Sequence, residues 1–320
     1  MASPTDLAAE ILAHGVVAAL VVQVVIRRVP VRAPVARLAF RTCVLVLPLV
    51  LPFALRWLAP CRGTETFADL ALFSTARWNR LTVAGVGLRD LGLCVAALLG
   101  IVLLVPDLLH LLAARRRDLR AERTPLPADH PVVTALTALV DDTVPAMGAP
   151  PTRVDIVETP VRLLHCHGAW RPAIVASCGV VDGLPRDQLR AAVVHEVAHI
   201  ARHDVLRGWV LLALRLVQWF NPVAQLFGRR AAQEMEWEAD RVAATVTGTP
   251  LALARALIWS VRGRDAQFLG VLGRGRAGII EERCRRLLDY DPDTDAVAPR
   301  MAPAVAGLVA TLAMLLVFVI

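Results

Sequence analysis

Apolar and polar positions divide the chain into long lipid-like runs separated by one mixed stretch. Leu7 to Ile26 is apolar except for Glu10, His14 and Gln23, and its length is about the 20 residues needed to cross a bilayer's hydrocarbon. Thr42 to Ala59 predicts the return span, Leu91 to Leu112 a third and Met301 to Ile320 a fourth. Val205 to Phe220 is also apolar but short, and it carries Arg207 and Arg215. It reads as a buried or membrane-skimming helix rather than a span.

The mixed stretch has a different rhythm. "TPLPADHP" (Thr124 to Pro131) reads as a linker, and Val132 to Val140 as a short amphipathic helix. "RVDIV" from Arg153, "RLLHC" from Arg162 and "RPAIVAS" from Arg171 read as strands. A helix is predicted to begin near Pro185. Asn221-Pro222 should open another, running to Thr247 and stopping at Gly248, and Thr249-Pro250 the next. A small sheet followed by helices predicts an α+β domain of roughly 175 residues, large enough for its own core. The expected division is a membrane domain over 1–120 with three spans, an α+β domain over 121–300, and a C-terminal span over 301–320.

Composition and charge predict an orientation. The chain is 56% hydrophobic with mean hydropathy +0.55, well above a water-soluble domain. It has no lysine, so all 35 basic residues are arginine and the net charge is +7. Schiff-base and Ser-x-x-Lys chemistry are therefore excluded. Arg27, Arg28, Arg32, Arg37 and Arg41 follow the first span, Arg115, Arg116, Arg117, Arg120 and Arg123 close the third, and Arg300 precedes the fourth. Arginines beside apolar spans mark the cytoplasmic side, so they point to a membrane rather than nucleic acid. The 121–300 domain is then cytoplasmic, and the Pro60 to Leu88 loop faces outward. No basic residue precedes Leu7, which argues against a cleaved signal peptide. The six cysteines form no Cys-x-x-Cys pattern, so a disulfide framework is not expected.

"AAVVHEVAHIARHD" (Ala191 to Asp204) carries the candidate chemistry. His195 and His199 are four apart, so on a helix both imidazoles share one face and can reach one metal ion. Glu196 can meet a metal-bound water without being a ligand. Two histidines on a half-buried helix would look the same, so a third ligand decides. "QEMEWEADR" (Gln233 to Arg241) offers Glu234, Glu236 and Glu238. Glu236 has an aspartate one turn on, Asp240, suited to orienting a ligand histidine. Glu234 and Glu238 lie about 200° around the helix from Glu236. His203 drifts away from the His195/His199 face and reads as a surface residue or one standing behind the ligands. His165 and His167 read as a polar strand edge rather than a second metal site. Residues Ala173, Ile174, Val175 and Ala176 are a candidate edge strand for an extended substrate. Arg283, a possible oxyanion donor, reads more simply as a solvated helix residue.

His195-Glu196-x-x-His199 with Asp204, then Asn221-Pro222, then Glu236-x-x-x-Asp240, resembles the BlaR/MecR-type antirepressor membrane metallopeptidases. It is also similar to the related HtpX and CAAX prenyl-protease group. The resemblance covers Arg153 to Ala244 most closely, while the spans match in number and order. It implies a multi-span helical membrane protein with a cytoplasmic zincin-like (gluzincin) metalloendopeptidase domain in the bacterial inner membrane. One Zn2+ per chain would be held by His195, His199 and Glu236, with Glu196 catalytic and Asp240 and Asp204 behind the ligands. The substrate would be a cytoplasmic protein, such as a transcriptional repressor. Membrane-protein quality control and a non-catalytic zinc scaffold are the alternatives. β-Lactam-sensing relatives carry an extracellular penicillin-binding domain acylated at Ser-x-x-Lys. With no lysine, and with Ile320 falling in the fourth span, sensing by that route is not expected.

Overall fold

A computed structural model describes residues 3–28, 33–58, 78, 80–120, 126–127, 129–159, 162–261 and 273–292. The predicted fourth span and most of the Pro60 to Leu88 loop lie outside the described residues. The chain is mostly helical with a small sheet. The described residues fall into two compact units: those of Met1–Asp118 with Val210–Glu234, and those of Leu119–Trp209 with Met235–Val297.

In the first unit, α1 (Pro4–Arg28), α2 (Pro34–Leu58) and the Leu88–Ala113 part of α3 (Leu88–Arg120) are long and apolar enough to cross a membrane. α1 and α2 pack along each other. α2 starts well before the predicted Thr42, opened by Pro34 at a position where a missing N–H costs nothing. Its early arginines are not a boundary. Arg37 Nε and Arg41 Nη2 grip the fully buried Glu234 at 3.0 and 2.9 Å. Just before α3, β1 (Thr82–Val83) and β2 (Val86–Gly87) form a hairpin. Its turn residues, Ala84 and Gly85, both have positive φ (52° and 82°), as a turn matching strand twist requires.

In the second unit, α4 (Pro131–Ala146) outruns the predicted Val140. The buried Thr143 satisfies its hydroxyl on the Leu139 carbonyl at 2.7 Å, and Val144 joins the core that holds the last turn. Strands β3 (Arg153–Val157), β4 (Leu164–His167) and β5 (Ala173–Ser177) form one sheet in the order β3-β5-β4, with β3 parallel and β4 antiparallel to β5. This corrects the edge-strand expectation for Ala173, Ile174, Val175 and Ala176. They are buried in the central strand with both backbone edges occupied. Their continuous apolar run is what a strand covered on both faces needs. After the short α5 (Cys178–Val181) comes α6 (Arg186–Ala201), then α7 (Asp204–Val217), α8 (Pro222–Thr247), α9 (Pro250–Val261) and α10 (Gly273–Leu288). α8 and α9 begin at their prolines, and Gly248 (φ 64°) ends α8, as predicted. α7 has 14 residues, about 21 Å of helix, too short for a hydrocarbon core of about 30 Å. The unit boundaries at Trp209/Val210 and Glu234/Met235 fall inside α7 and α8.

α6 is apolar on two faces. Val193, Val197 and Ile200 join Leu136, Val140, Ile156 and Ile174 in a core against α4 and the sheet. Ala191 and Val194 meet Ala243, Ala244 and Leu253 on its other side. Alanines there let α6 approach the C-terminal half of α8 closely, and the remaining face of α6 carries the histidines.

Candidate metal centre

The sheet-packed helix α6 supplies three of the candidate residues. Val197 is wholly buried between His195 and His199, fixing the helix's rotation so that both rings leave on one side. The rings meet edge to face, with centroids 4.7 Å apart. Their Nε2 atoms are 3.2 Å apart. From α8, Glu236 brings Oε2 to 3.7 Å from His195 Nε2 and Oε1 to 3.6 Å from His199 Nε2. Two imidazoles at bond lengths of about 2.0 Å on a tetrahedral ion would hold their nitrogens about 3.3 Å apart. The donor set therefore fits a cation such as zinc, with nitrogen and carboxylate ligands.

A carboxylate stands beside each outer ring nitrogen, hydrogen-bonded at His199 and at ion-pair distance at His195. Asp240 Oδ1 faces His195 Nδ1 at 3.1 Å, and Asp204 Oδ2 lies 3.0 Å from His199 Nδ1. A carboxylate on Nδ1 draws the proton there and turns the Nε2 lone pair inward. Two lone pairs 3.2 Å apart repel, so a positive charge belongs between them. The electrostatics agree. Burial opposes a charged His199, yet Asp204 and the fields of Glu236 and Glu196 push it up to about 9.

Glu196 Oε2 accepts the Cys166 backbone N–H at 2.8 Å, tying it to the outer edge of β4. Burial pushes the Cys166 thiol above its usual range, and Glu196 adds to it. His195, Glu196, His199, Asp204, Glu236 and Cys166 line one cavity of about 440 Å³, with Arg162 and Trp259 among its other walls. The Arg162 guanidinium lies over the Trp259 ring, 3.9 Å from its centroid.

The other candidates separate cleanly. Glu238 is turned to Arg241 (2.9 and 2.6 Å) and Arg202 (3.3 Å), and Glu234 to Arg37 and Arg41 in the first unit. His203 is exposed and ends α6 at φ 54°. His165 and His167 sit on β4, with ring centroids 6.3 Å apart. Among the described residues, His195, His199 and Glu236 are the group close enough to share a metal ion.

The solvated reading of Arg283 is wrong. It is buried, with 8% of its surface exposed. Its Nε and Nη2 each lie 2.7 Å from an Asp240 oxygen, and Nη1 is 2.9 Å from Glu236 Oε2. Burial alone would raise the Asp240 carboxyl, but Arg283 and His195 hold it well below the usual carboxylate range. A signal was present in the sequence. Ile280, Arg283, Cys284 and Leu287 follow the spacing of an apolar helix stripe, and an arginine on that stripe needs a buried partner.

Residues 92–257 match the family described as BlaR1 peptidase M56. The chain belongs to that family. The matched segment contains His195, Glu196, His199, Asp204, Glu236 and Asp240, and Arg283 lies beyond it. The M56 chain is 28% identical over 89 residues to the regulatory protein BlaR1 of Bacillus licheniformis, covering 28% of this chain and 14% of the relative. It is 27% identical over 165 residues to the protease HtpX homolog of Acidiphilium cryptum, covering 41% of this chain and 58% of the relative. The HtpX homolog of Thermococcus kodakarensis is 27% identical over 148 residues, covering 44% and 50%. The chain thus spans between 14% and 58% of the length of these relatives. No solved structure matches it.

Proposed function

We propose that this M56 chain is a zinc-dependent endopeptidase of the bacterial inner membrane, with its peptidase domain facing the cytoplasm. The domain division expected over 1–120, 121–300 and 301–320 belongs to the same reading. The observation that carries it is the convergence of His195, His199 and Glu236 with Glu196 on the same cavity. His195, His199 and Glu236 would hold the ion, which when bound supplies a Lewis acid that lowers the pKa of water. Glu196, beside His195 and anchored by Cys166 N–H, takes the proton of the attacking water and delivers it to the leaving amine. Asp240 and Asp204 keep both imidazoles in the ligating tautomer, and Arg283 keeps Asp240 charged. An extended substrate pairs along the outer edge of β4 rather than β5, since β4 is hydrogen-bonded to a strand on one side only among the described residues.

The substrate is a cytoplasmic protein, and the likeness to a regulatory protein BlaR1 favours a transcriptional repressor. The likeness to HtpX homologs supports membrane-protein quality control as the second reading. Glu196→Gln tests the chemistry. It should keep the metal at one ion per chain, abolish cleavage and trap bound substrate for identification. Undiminished cleavage would refute the role of Glu196. Captured DNA-binding repressors favour the first reading, and damaged membrane proteins the second.

A further inference from the structure

The segment Val210–Glu234 belongs to the same unit as α1, α2 and α3, and it meets all three helices at one level. Gly15, the twelfth of 25 residues of α1, lies tight against the hairpin, since a Cβ there would come to 3.0 Å from Asn221 Nδ2. Leu45, the twelfth of 25 in α2, gives its carbonyl to Gln218 Nε2 at 2.8 Å. Gly100, the thirteenth of 26 in the apolar part of α3, lies against the Trp219 carbonyl, which a Cβ would strike. The turn from α7 to α8 therefore sits at the mid-length of three apolar helices.

That turn is also built for a dry environment, where each unpaired backbone group costs several kcal/mol. Gln225 Nε2 donates to the Arg215 and Gln218 carbonyls at 2.9 and 3.0 Å, closing the end of α7. Asn221 Oδ1 accepts Val223 N–H at 3.1 Å, closing the start of α8. Gln218, Asn221 and Gln225 are wholly buried. Nearer the base, Asp107 takes Arg215 at 2.5 Å and Arg229 at 2.8 Å. The outward face is apolar instead: Val210, Leu216, Val217, Trp219 and Leu226 are 42–62% exposed.

We propose that Val210–Glu234 is a re-entrant helical hairpin whose tip, Gln218–Asn221, lies at the bilayer midplane, with its apolar face against the acyl chains of one leaflet. This rests on α1, α2 and α3 being membrane spans. From Val210 to Trp219, along α7 and into the turn, the rise is about 13 Å, close to half of a hydrocarbon core of about 30 Å. The hairpin is thus neither a crossing nor a helix lying on the surface.

The test is nitroxide depth measurement on the full chain in phosphatidylcholine–phosphatidylglycerol nanodiscs, with the native cysteines replaced by serine. Labels at Val210→Cys, Leu226→Cys and Val217→Cys are compared with the mid-span sites Val16→Cys and Leu99→Cys. Val217 should read as deep as Val16 and Leu99, and Val210 about 10 Å shallower. Equal depths at Val210 and Val217, or a water-exposed Val217, would overturn the hairpin while leaving the spans intact. Water exposure at Val16 and Leu99 would overturn the spans and the hairpin with them. If the cysteine-free protein does not fold, quenching by brominated lipids in the natural sequence, minus that of Trp219→Phe, isolates Trp219. It should be quenched most by bromine near the chain ends, and strongest quenching by bromine near the headgroup overturns the proposal.

Discussion

Removing the Arg283 guanidinium, as in Arg283→Met, should weaken the metal-free protein far more than the zinc-loaded one. The methionine fills much of the same volume but leaves Asp240, 4% exposed, without its two 2.7 Å partners. It also leaves Glu236 without the Nη1 contact at 2.9 Å. Breaking a buried pair from one side costs about 3–5 kcal/mol, because a charge is stranded away from water. For a unit of this size that is a fall in Tm of about 6–20 °C. Bound zinc restores positive charge between the same carboxylates, so most of the loss should disappear on loading. Arg283→Lys, keeping the charge but not the planar fork, should fall between. The assay is thermal unfolding of the detergent-solubilised full chain in chelator and in excess zinc. Wild-type Tm for Arg283→Met in chelator, or an equal loss in both conditions, would refute the charge-balancing role.

Zinc uptake should depend on pH through His199, which stands at about 9 without metal. Near neutral pH the ion must expel that proton, so affinity should rise about tenfold per pH unit and level off above about 9; a flat profile in competition titrations would contradict this. The folded-state pKa is raised, so the same proton stabilises the metal-free fold below the ordinary histidine range. That stabilisation is lost as pH rises through about 9, which chelated melts at two pH values can check. Cys166, whose thiol is pushed up by burial and by Glu196, should resist alkylation at mildly alkaline pH until the protein unfolds; rapid labelling mapped by mass spectrometry would count against it. Gly183→Ala would drive a Cβ into the Trp259 indole and to 2.7 Å from the Gly179 carbonyl. It should cost about 1–3 kcal/mol, read as a lower Tm.

Sequence alone determined whatever depends on neighbours along the chain. Three apolar runs, the proline starts of α8 and α9, the glycine stop at Gly248 and the shared face of His195 and His199 all follow from local backbone chemistry and helical periodicity. Glu236 could be singled out from Glu234 and Glu238 because residues two apart on a helix point in nearly opposite directions. Tertiary structure decided what depends on partners far away. Ala173–Ala176 look the same in sequence whether central or at an edge, since strand order is set by which chain segments pair on either side. Arg283 reached the candidate site only because α10 packs on α9, bringing a buried cation to Asp240, 43 positions earlier. The level at which the turn after α7 meets α1, α2 and α3 is set by contacts at Gly15, Leu45 and Gly100. Side chains as small as glycine carry no pattern of their own, and their meaning appears only when another backbone fills the space they leave.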